Sequence, residues 1–478
     1  MNPQNDSVAP PPAQSSADYA LTVPDDARRA LARGWLWLGL LALIGSGVFS
    51  VLLVLSRTPY LQNLLPLTDF FHVALVVHVD LSVLVWFISQ AGLLWSLNCS
   101  ARAPTLGKAA LWLCAAGAVL MSLAPFFGQG EAIMANYIPV LDGGLFLAGL
   151  LLFAAGFAVL VLRSLALAPV LGLYFDAGGA LRFGLNAAAV SAAVALLAFG
   201  WSYAAVPDSL GGKAYYEILF WGGGHALQFT WTLLMLVAWL WLTGAIGARV
   251  PLSPRVALLM FLLALLCVFV TPYAYLAYPI PSVEHRQLLT WAMRFGGGLS
   301  ILPMSLAVLV ALRPVAGLSE QSRPLRAALI SSVLLFAVGG MIGVFISGSN
   351  VKIPAHYHGS IVGVTLALMG LVYHLLPRLG YAAPSGKLAT LQPYLYGAGQ
   401  LMHIVGLVWS GGYGVQRKVA GADQVLRGAG EIAGMGLMGL GGLIAIVGGL
   451  LFVIVVLRAM LAADSTPSGS ARSSNETP

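Results

Sequence analysis

A chain of 478 residues with 59% hydrophobic and 9% charged side chains sits far below the roughly one-quarter charged content of soluble domains. Its net charge of +7 is spread over the segments between apolar runs, so it reports membrane topology and gives no case for a nucleic-acid partner. The three cysteines, Cys99, Cys114 and Cys267, form no CxxC or CxxCH, which leaves disulfide frameworks, zinc ribbons and covalently attached haem c without support.

Residues 1–30 read as a disordered tail, polar and rich in Pro, Ser and Ala over the first 24. They lack the charged start and apolar centre of a secretory signal, so the first span is expected to be retained. Twelve apolar segments follow, near 33–55, 69–97, 107–127, 141–163, 182–205, 215–246, 254–278, 287–312, 327–348, 355–377, 392–415 and 432–459. Each has about the 20 residues needed to cross hydrocarbon, or somewhat more. The expected fold is an all-α, twelve-transmembrane-helix polytopic domain over 31–460, with a second polar tail at 461–478. No connection is long enough to hold a soluble domain. An even number of spans puts both termini on one side. With that side inside, 16 of the 24 Lys and Arg fall on inner loops and 8 on outer ones, as the positive-inside rule requires.

On these twelve spans, six of the eight histidines share the outer layer: His72, His78, His225, His285, His356 and His358. His374 falls at the inner side and His403 deeper in the eleventh span. Ionisable groups within a bilayer are costly and tend to face a functional interior. Neutral imidazole is also a common ligand for iron, copper and zinc. The stretch VKIPAHYHGSIV places His356 and His358 two residues apart, and such residues differ by about 200° around a helix. They cannot readily share one metal, but they can hold two centres on opposite sides of one helix. Axial imidazole is a common haem ligand.

This pattern resembles subunit I of the haem-copper oxidase superfamily, which includes oxygen reductases and nitric oxide reductases, over residues 30 to 460. The resemblance implies that the tenth-helix pair serves two haems, His356 the high-spin and His358 the low-spin one. The stretch LVVHVDLSVLVWF is similar to the second-helix motif and makes His78 the other low-spin ligand. FWGGGHALQF supplies Trp221 and His225, the sixth-helix ligand of a non-haem metal. Where the family carries a histidine pair, SVEHRQLLTW has Glu284 and His285. The tyrosine one turn after the sixth-helix histidine is replaced by Phe229, and the nearby glutamate position holds Leu227. Tyr278, six residues before Glu284, is the position some oxidases use for a seventh-helix tyrosine.

A carboxylate is harder than imidazole and favours iron over copper, so His225, His285 and Glu284 are expected as a ligand set for non-haem iron, with copper as the alternative. The competing role for Glu284 is an ion pair with Arg286 or Arg294. The resemblance then implies a catalytic subunit that reduces NO to N2O, with Glu284 and Tyr278 as candidate catalytic residues. Reduction of O2 by an altered copper site is the alternative, and a haemless transporter the remote one. Arg417 and Lys418 are candidates to neutralise haem propionates. Glu131 and Asp142 are rare outer acids that could admit protons. Electrons are expected from a second subunit, a cytochrome c or a quinol. The expected location is a bacterial-type plasma membrane, with cytoplasmic termini and the metals towards the outer face.

Overall fold

The computed structural model describes residues 19–57, 70–127, 130–171, 176–313, 317–346, 350–414 and 428–463. The helices are α1 (Ala27–Arg57), α2 (Phe70–Val79), α3 (Trp86–Asn98), α4 (Pro104–Phe127), α5 (Gly144–Ala166), α6 (Ala177–Ala205), α7 (Gly212–Ala245) and α8 (Pro254–Val268), then α9 (Val270–Ala277), α10 (Val283–Gly296), α11 (Gly298–Ala311), α12 (Ser322–Val344), α13 (Lys352–Leu375), α14 (Gly386–Gly412) and α15 (Ala429–Ala463). A π turn, Asp80–Val85, joins α2 to α3 as one rod. The pairs α8–α9 and α10–α11 likewise form single spans.

Among the described residues, eleven helical rods are long and apolar enough to cross a membrane. A twelfth rod is α14, 27 residues long, whose Gln392, Gln400, His403 and repeated glycines make it more polar. The bundle is therefore the all-α polytopic membrane architecture expected. Helices satisfy their backbone groups internally, which hydrocarbon demands. Phe127, Leu151 and Leu302 are 77%, 72% and 71% exposed, an outward apolar surface that lipid would cover.

Burial decides which helices are central. The spans built on α7 and α13 are 89% and 83% buried, against 28–56% for the others. These two carry His225 and the His356–His358 pair. Small residues permit the closest packing: at Gly339 of α12 and Gly359 of α13 the backbones touch, with each glycine occupying the other's Cβ space.

One bundle end is capped by arginines from the expected inner set. Arg28 donates to the Cys99 carbonyl at 2.8 Å, Arg33 to the Leu379 carbonyl at 2.6 Å and Arg163 to the Ala103 carbonyl at 3.2 Å. Each guanidinium satisfies a carbonyl at or beside a helix end. The expected N-terminal tail needs one correction. Tyr19 is fully buried, its hydroxyl donates to the Leu252 carbonyl at 2.9 Å, and its backbone lies where a Cβ on Gly244 would be. A large ring with one satisfied polar atom has enough to bury that the chain docks before α1 begins.

At the opposite end a short antiparallel hairpin, β1 (Glu131–Ile133) and β2 (Val140–Asp142), joins α4 to α5. Two side-chain bonds tie it to the start of α7. Asn136 donates to Glu217 at 2.7 Å, and the Tyr216 hydroxyl donates to Asp142 at 3.0 Å.

Candidate functional site

Three histidines share one arrangement. His356 Nδ1 lies 2.7 Å from the Gly339 carbonyl, His358 Nδ1 3.1 Å from the Gln400 side-chain oxygen, and His78 Nδ1 3.0 Å from the Ser46 carbonyl. Each acceptor is a carbonyl oxygen, so Nδ1 is the protonated donor and the Nε2 lone pair is left for another partner. For His78 the Ser46 and Ser50 hydroxyls, at 2.9 and 3.0 Å from the same nitrogen, hold the ring further. The tenth-helix pair leaves α13 in two directions, His356 towards α12 and His358 towards α14. His358 and His78 stand within electrostatic reach of each other, and His403 lies ring to ring with His358 at 4.5 Å. His403 itself donates Nδ1–H to the Met438 carbonyl at 2.9 Å.

The second cluster surrounds His225. Its Nδ1–H donates to the Trp221 carbonyl one turn earlier at 2.7 Å, and its Nε2 accepts the Tyr137 hydroxyl at 3.0 Å. Trp221 packs on the His225 ring at 4.9 Å and reaches α10 through a 3.4 Å bond to the Arg286 carbonyl. The glycine run before His225 explains the crowding. A Cβ on Gly222 would fall on Tyr275, and one on Gly224 would fall on Tyr137. On α10, the Ser282 side chain caps the helix by accepting the His285 N–H at 3.1 Å. His285 itself points inwards: it is 1% exposed, its ring meets the edge of Tyr275 at 4.7 Å, and neither ring nitrogen has a hydrogen-bond partner. His285 and His225 are electrostatic neighbours. The Tyr137 phenol is held well above its ordinary pKa by burial, with Tyr357 and Glu217 adding to the effect.

The expected Glu284 ligand is not in this cluster. Neighbouring helix positions diverge by about 100°, so with His285 turned in, Glu284 is exposed in the first turn of α10. There its charge faces a helix N-terminus, a favourable position without any metal. No three His, Cys, Asp or Glu side chains stand together as a metal-sized group among the described residues. Tyr278 ends α9 and is 36% exposed; the inward tyrosine of that span is Tyr275, which shares a 2.6 Å hydrogen bond with Ser202. Asp142 is taken up by Tyr216, and Glu131 is exposed on the hairpin. His72 is half-buried, with its ring against Phe71. His374 sits under Trp241, its carbonyl bonded by Arg378. Arg417 and Lys418 lie outside the described residues.

Residues 30–462 match the family described as "Cytochrome C and Quinol oxidase polypeptide I". The chain belongs to that family. The haem-copper oxidase subunit I fold is matched as well. A cryo-EM structure of a haem-copper terminal oxidase dimer aligns over 93% of this chain and 85% of its own, with TM-score 0.66 at 16% identity. An uncharacterised protein of Rickettsia prowazekii is 28% identical, over 90% of this chain and 96% of the relative. Another, from Aquifex aeolicus, is 30% identical, over 75% and 88%.

Haem-copper oxidases bind two haems and a copper or non-haem iron. The residues here suit those groups. Unbonded Nε2 atoms on half-buried, oriented imidazoles are what axial haem ligation needs, and the buried, unpartnered His285 ring suits a metal ligand. Sequence reasoning missed Gln400, whose side chain orients His358. A usable signal was present, since Gln400 and His403 are polar at i and i+3 within an apolar span. Substitution Gln400→Leu is expected to weaken low-spin haem retention about 10- to 100-fold, as loss of an orienting partner does elsewhere. Haem titration of the apo-protein, followed by its low-spin absorption, checks this.

Proposed function

We propose that this haem-copper oxidase subunit I is the catalytic subunit of a membrane terminal reductase, with NO as its favoured substrate. His78 and His358 hold the low-spin haem, His356 the high-spin haem, and His225 with His285 the non-haem metal. The observation that carries the reading is the placement of Nδ1 of His78, His356 and His358 against a carbonyl oxygen. All three commit Nδ1–H to a carbonyl oxygen, leaving Nε2 for iron. The opposite headings of His356 and His358 would put two haems on either side of one helix, a short route for electrons.

When bound, the haem irons and the non-haem metal would supply the Lewis acidity and electrons for 2 NO + 2 e⁻ + 2 H⁺ → N2O + H2O. The chain's own work is to orient the rings and exclude water. Burial of His225 and His285 at 3% and 1% exposure keeps that space dry. NO is favoured over O2 because Phe229, one turn after His225, is buried at 5% exposure and offers hydrocarbon where many oxygen reductases have a phenol. Tyr278, the other candidate phenol, is half-exposed. Electrons come from a second subunit, a cytochrome c or a quinol, since the chain carries no haem c motif.

One observation favours O2 reduction as a second reading: the Tyr137 hydroxyl on His225 puts a phenol at the site from another direction. Parallel electrode measurements of NO and O2 consumption by the purified, reduced complex decide between them. The expected result is NO uptake with stoichiometric N2O and O2 uptake at least tenfold slower. Rapid O2 uptake with little N2O would replace the first reading with the second.

A further inference from the structure

The two imidazoles His225 and His285 are too few to hold a metal tightly, and the sequence-expected carboxylate, Glu284, faces outwards. We propose that the third protein ligand of the non-haem metal is Tyr137, whose Oη would stand on the ion beside His225 Nε2 and His285. The proposal rests on the reading of the chain as a haem and non-haem metal reductase, and it names a ligand that reading leaves open.

Four observations carry it. First, Tyr137 Oη and His225 Nε2 are 3.0 Å apart. Two donors at adjacent positions on one ion, each about 2.1 Å away and about 90° apart, are separated by about 3.0 Å. A metal can therefore take the place of the shared proton with little movement of either atom. Second, His285 is buried with both ring nitrogens unpartnered on the neighbouring helix, within electrostatic reach of His225. An orphan imidazole in a membrane interior is expensive, and a metal would satisfy it. Third, Tyr137 is not on a loose loop. The hairpin that carries it is pinned on both sides, by Asn136 to Glu217 and by Tyr216 to Asp142. Fourth, α7 has no side chain at Gly224, and the Tyr137 ring fills that space. Any larger residue there would push the phenol off His225.

The resulting set, two imidazoles and one phenolic oxygen, has the hard-donor character first assigned to Glu284 and favours iron over copper. Ligation exchanges the O–H bond for an oxygen–metal bond. The proton leaves to water, so metal uptake is accompanied by proton release and no electron is transferred.

The test uses the full-length complex purified in detergent, as wild type, Tyr137→Phe and Glu284→Gln. Haem is counted by pyridine haemochrome, and iron and copper by mass spectrometry. Resonance Raman spectra are recorded with and without ring-deuterated tyrosine. Expected for the wild type are two haems, one further metal ion and phenolate bands that shift on deuteration. Tyr137→Phe should keep both haems, bind the further ion at least tenfold more weakly and lose the phenolate bands, while Glu284→Gln retains all three. The proposal is overturned if Tyr137→Phe holds the ion as tightly as wild type. Absence of deuterium-sensitive phenolate bands from the metal-loaded wild type overturns it too, and that result decides the matter if the variant loses its haems. A wild type with two haems and no further ion sinks this proposal and leaves the haem assignments standing. A wild type without haem sinks both.

Discussion

Replacing His358 by Ala is expected to leave one haem per chain instead of two and to reduce terminal-reductase turnover to background. The reason is geometric. His358 is the residue on central helix α13 that heads towards α14, where Gln400 holds its Nδ1–H at 3.1 Å and His403 packs on its ring at 4.5 Å. Removing the imidazole leaves Gln400 Oε1 without its donor and takes away the ring that stands within electrostatic reach of His78. His403 packs on the same ring with its own Nδ1–H on the Met438 carbonyl at 2.9 Å, so a His358→Ala/His403→Ala double variant removes any substitute ligand from that helix. The haem-to-polypeptide ratio by pyridine haemochrome is the direct measurement. The His356→Ala variant separates the two centres. It should spare the low-spin spectrum and remove the high-spin one, because His356 heads towards Gly339 and not towards α14. Loss of the same haem in both variants would show that the two imidazoles share one site.

Gly359→Val is expected to destabilise the bundle by more than about 3 kcal/mol, towards or beyond the upper end of ordinary overpacking costs. Most small-to-large changes are softened by movement of a flexible side chain. Here the added Cβ meets the Gly339 backbone, so α12 and α13 must separate. That separation also withdraws the Gly339 carbonyl from His356 Nδ1, now 2.7 Å away, and frees the ring proposed to hold the high-spin haem. The variant therefore couples a folding defect to a spectroscopic one. Thermal unfolding in detergent should show a lowered Tm, and the fraction that stays folded should show a perturbed high-spin haem spectrum. A Gly359→Ala variant should show the same two effects at smaller amplitude. An unchanged Tm in both would mean that the helices are not in backbone contact at this point.

The bundle was legible because hydrocarbon imposes a simple code. Apolar runs of about 20 residues give the rods, and their boundaries follow polar and glycine-rich joints. The weakest reading was α14, where polar and small residues that pack against neighbouring helices dilute the apolar signal. The divergence of His356 and His358 was also legible, since it follows from helix periodicity alone. What periodicity could not give was the partner of each ring. Gln400, Ser46 and Gly339 come from helices far away in the chain, and nothing local marks them as acceptors. Around α10 the sequence offered Glu284 and His285 side by side, and only the packing of α10 against Tyr275 shows which one turns inwards. Tyr137 was hidden for a different reason. It lies on a hairpin between spans, in a stretch with no long apolar period, and reaches His225 only because Gly224, 87 positions later in the chain, has no side chain.

The π turn at Asp80–Val85 acts as a phase adjuster between two halves of one rod. Above it, His78 must be in register with α1, where the Ser46 carbonyl waits 3.0 Å away. Below it, Trp95 must be in register with α6, where its indole N–H donates to the Leu185 carbonyl at 3.0 Å. A plain α-helix of the same length would satisfy one docking and miss the other. The wider turn absorbs the surplus residue. A single-residue deletion inside 80–85 would therefore turn the wide turn into a plain one and keep both dockings, whereas a further single-residue insertion would act as a rotation. With that insertion the rod would still span the membrane and bury the same apolar face below, while everything above would swing by about 100° and carry His78 away from the Ser46 carbonyl.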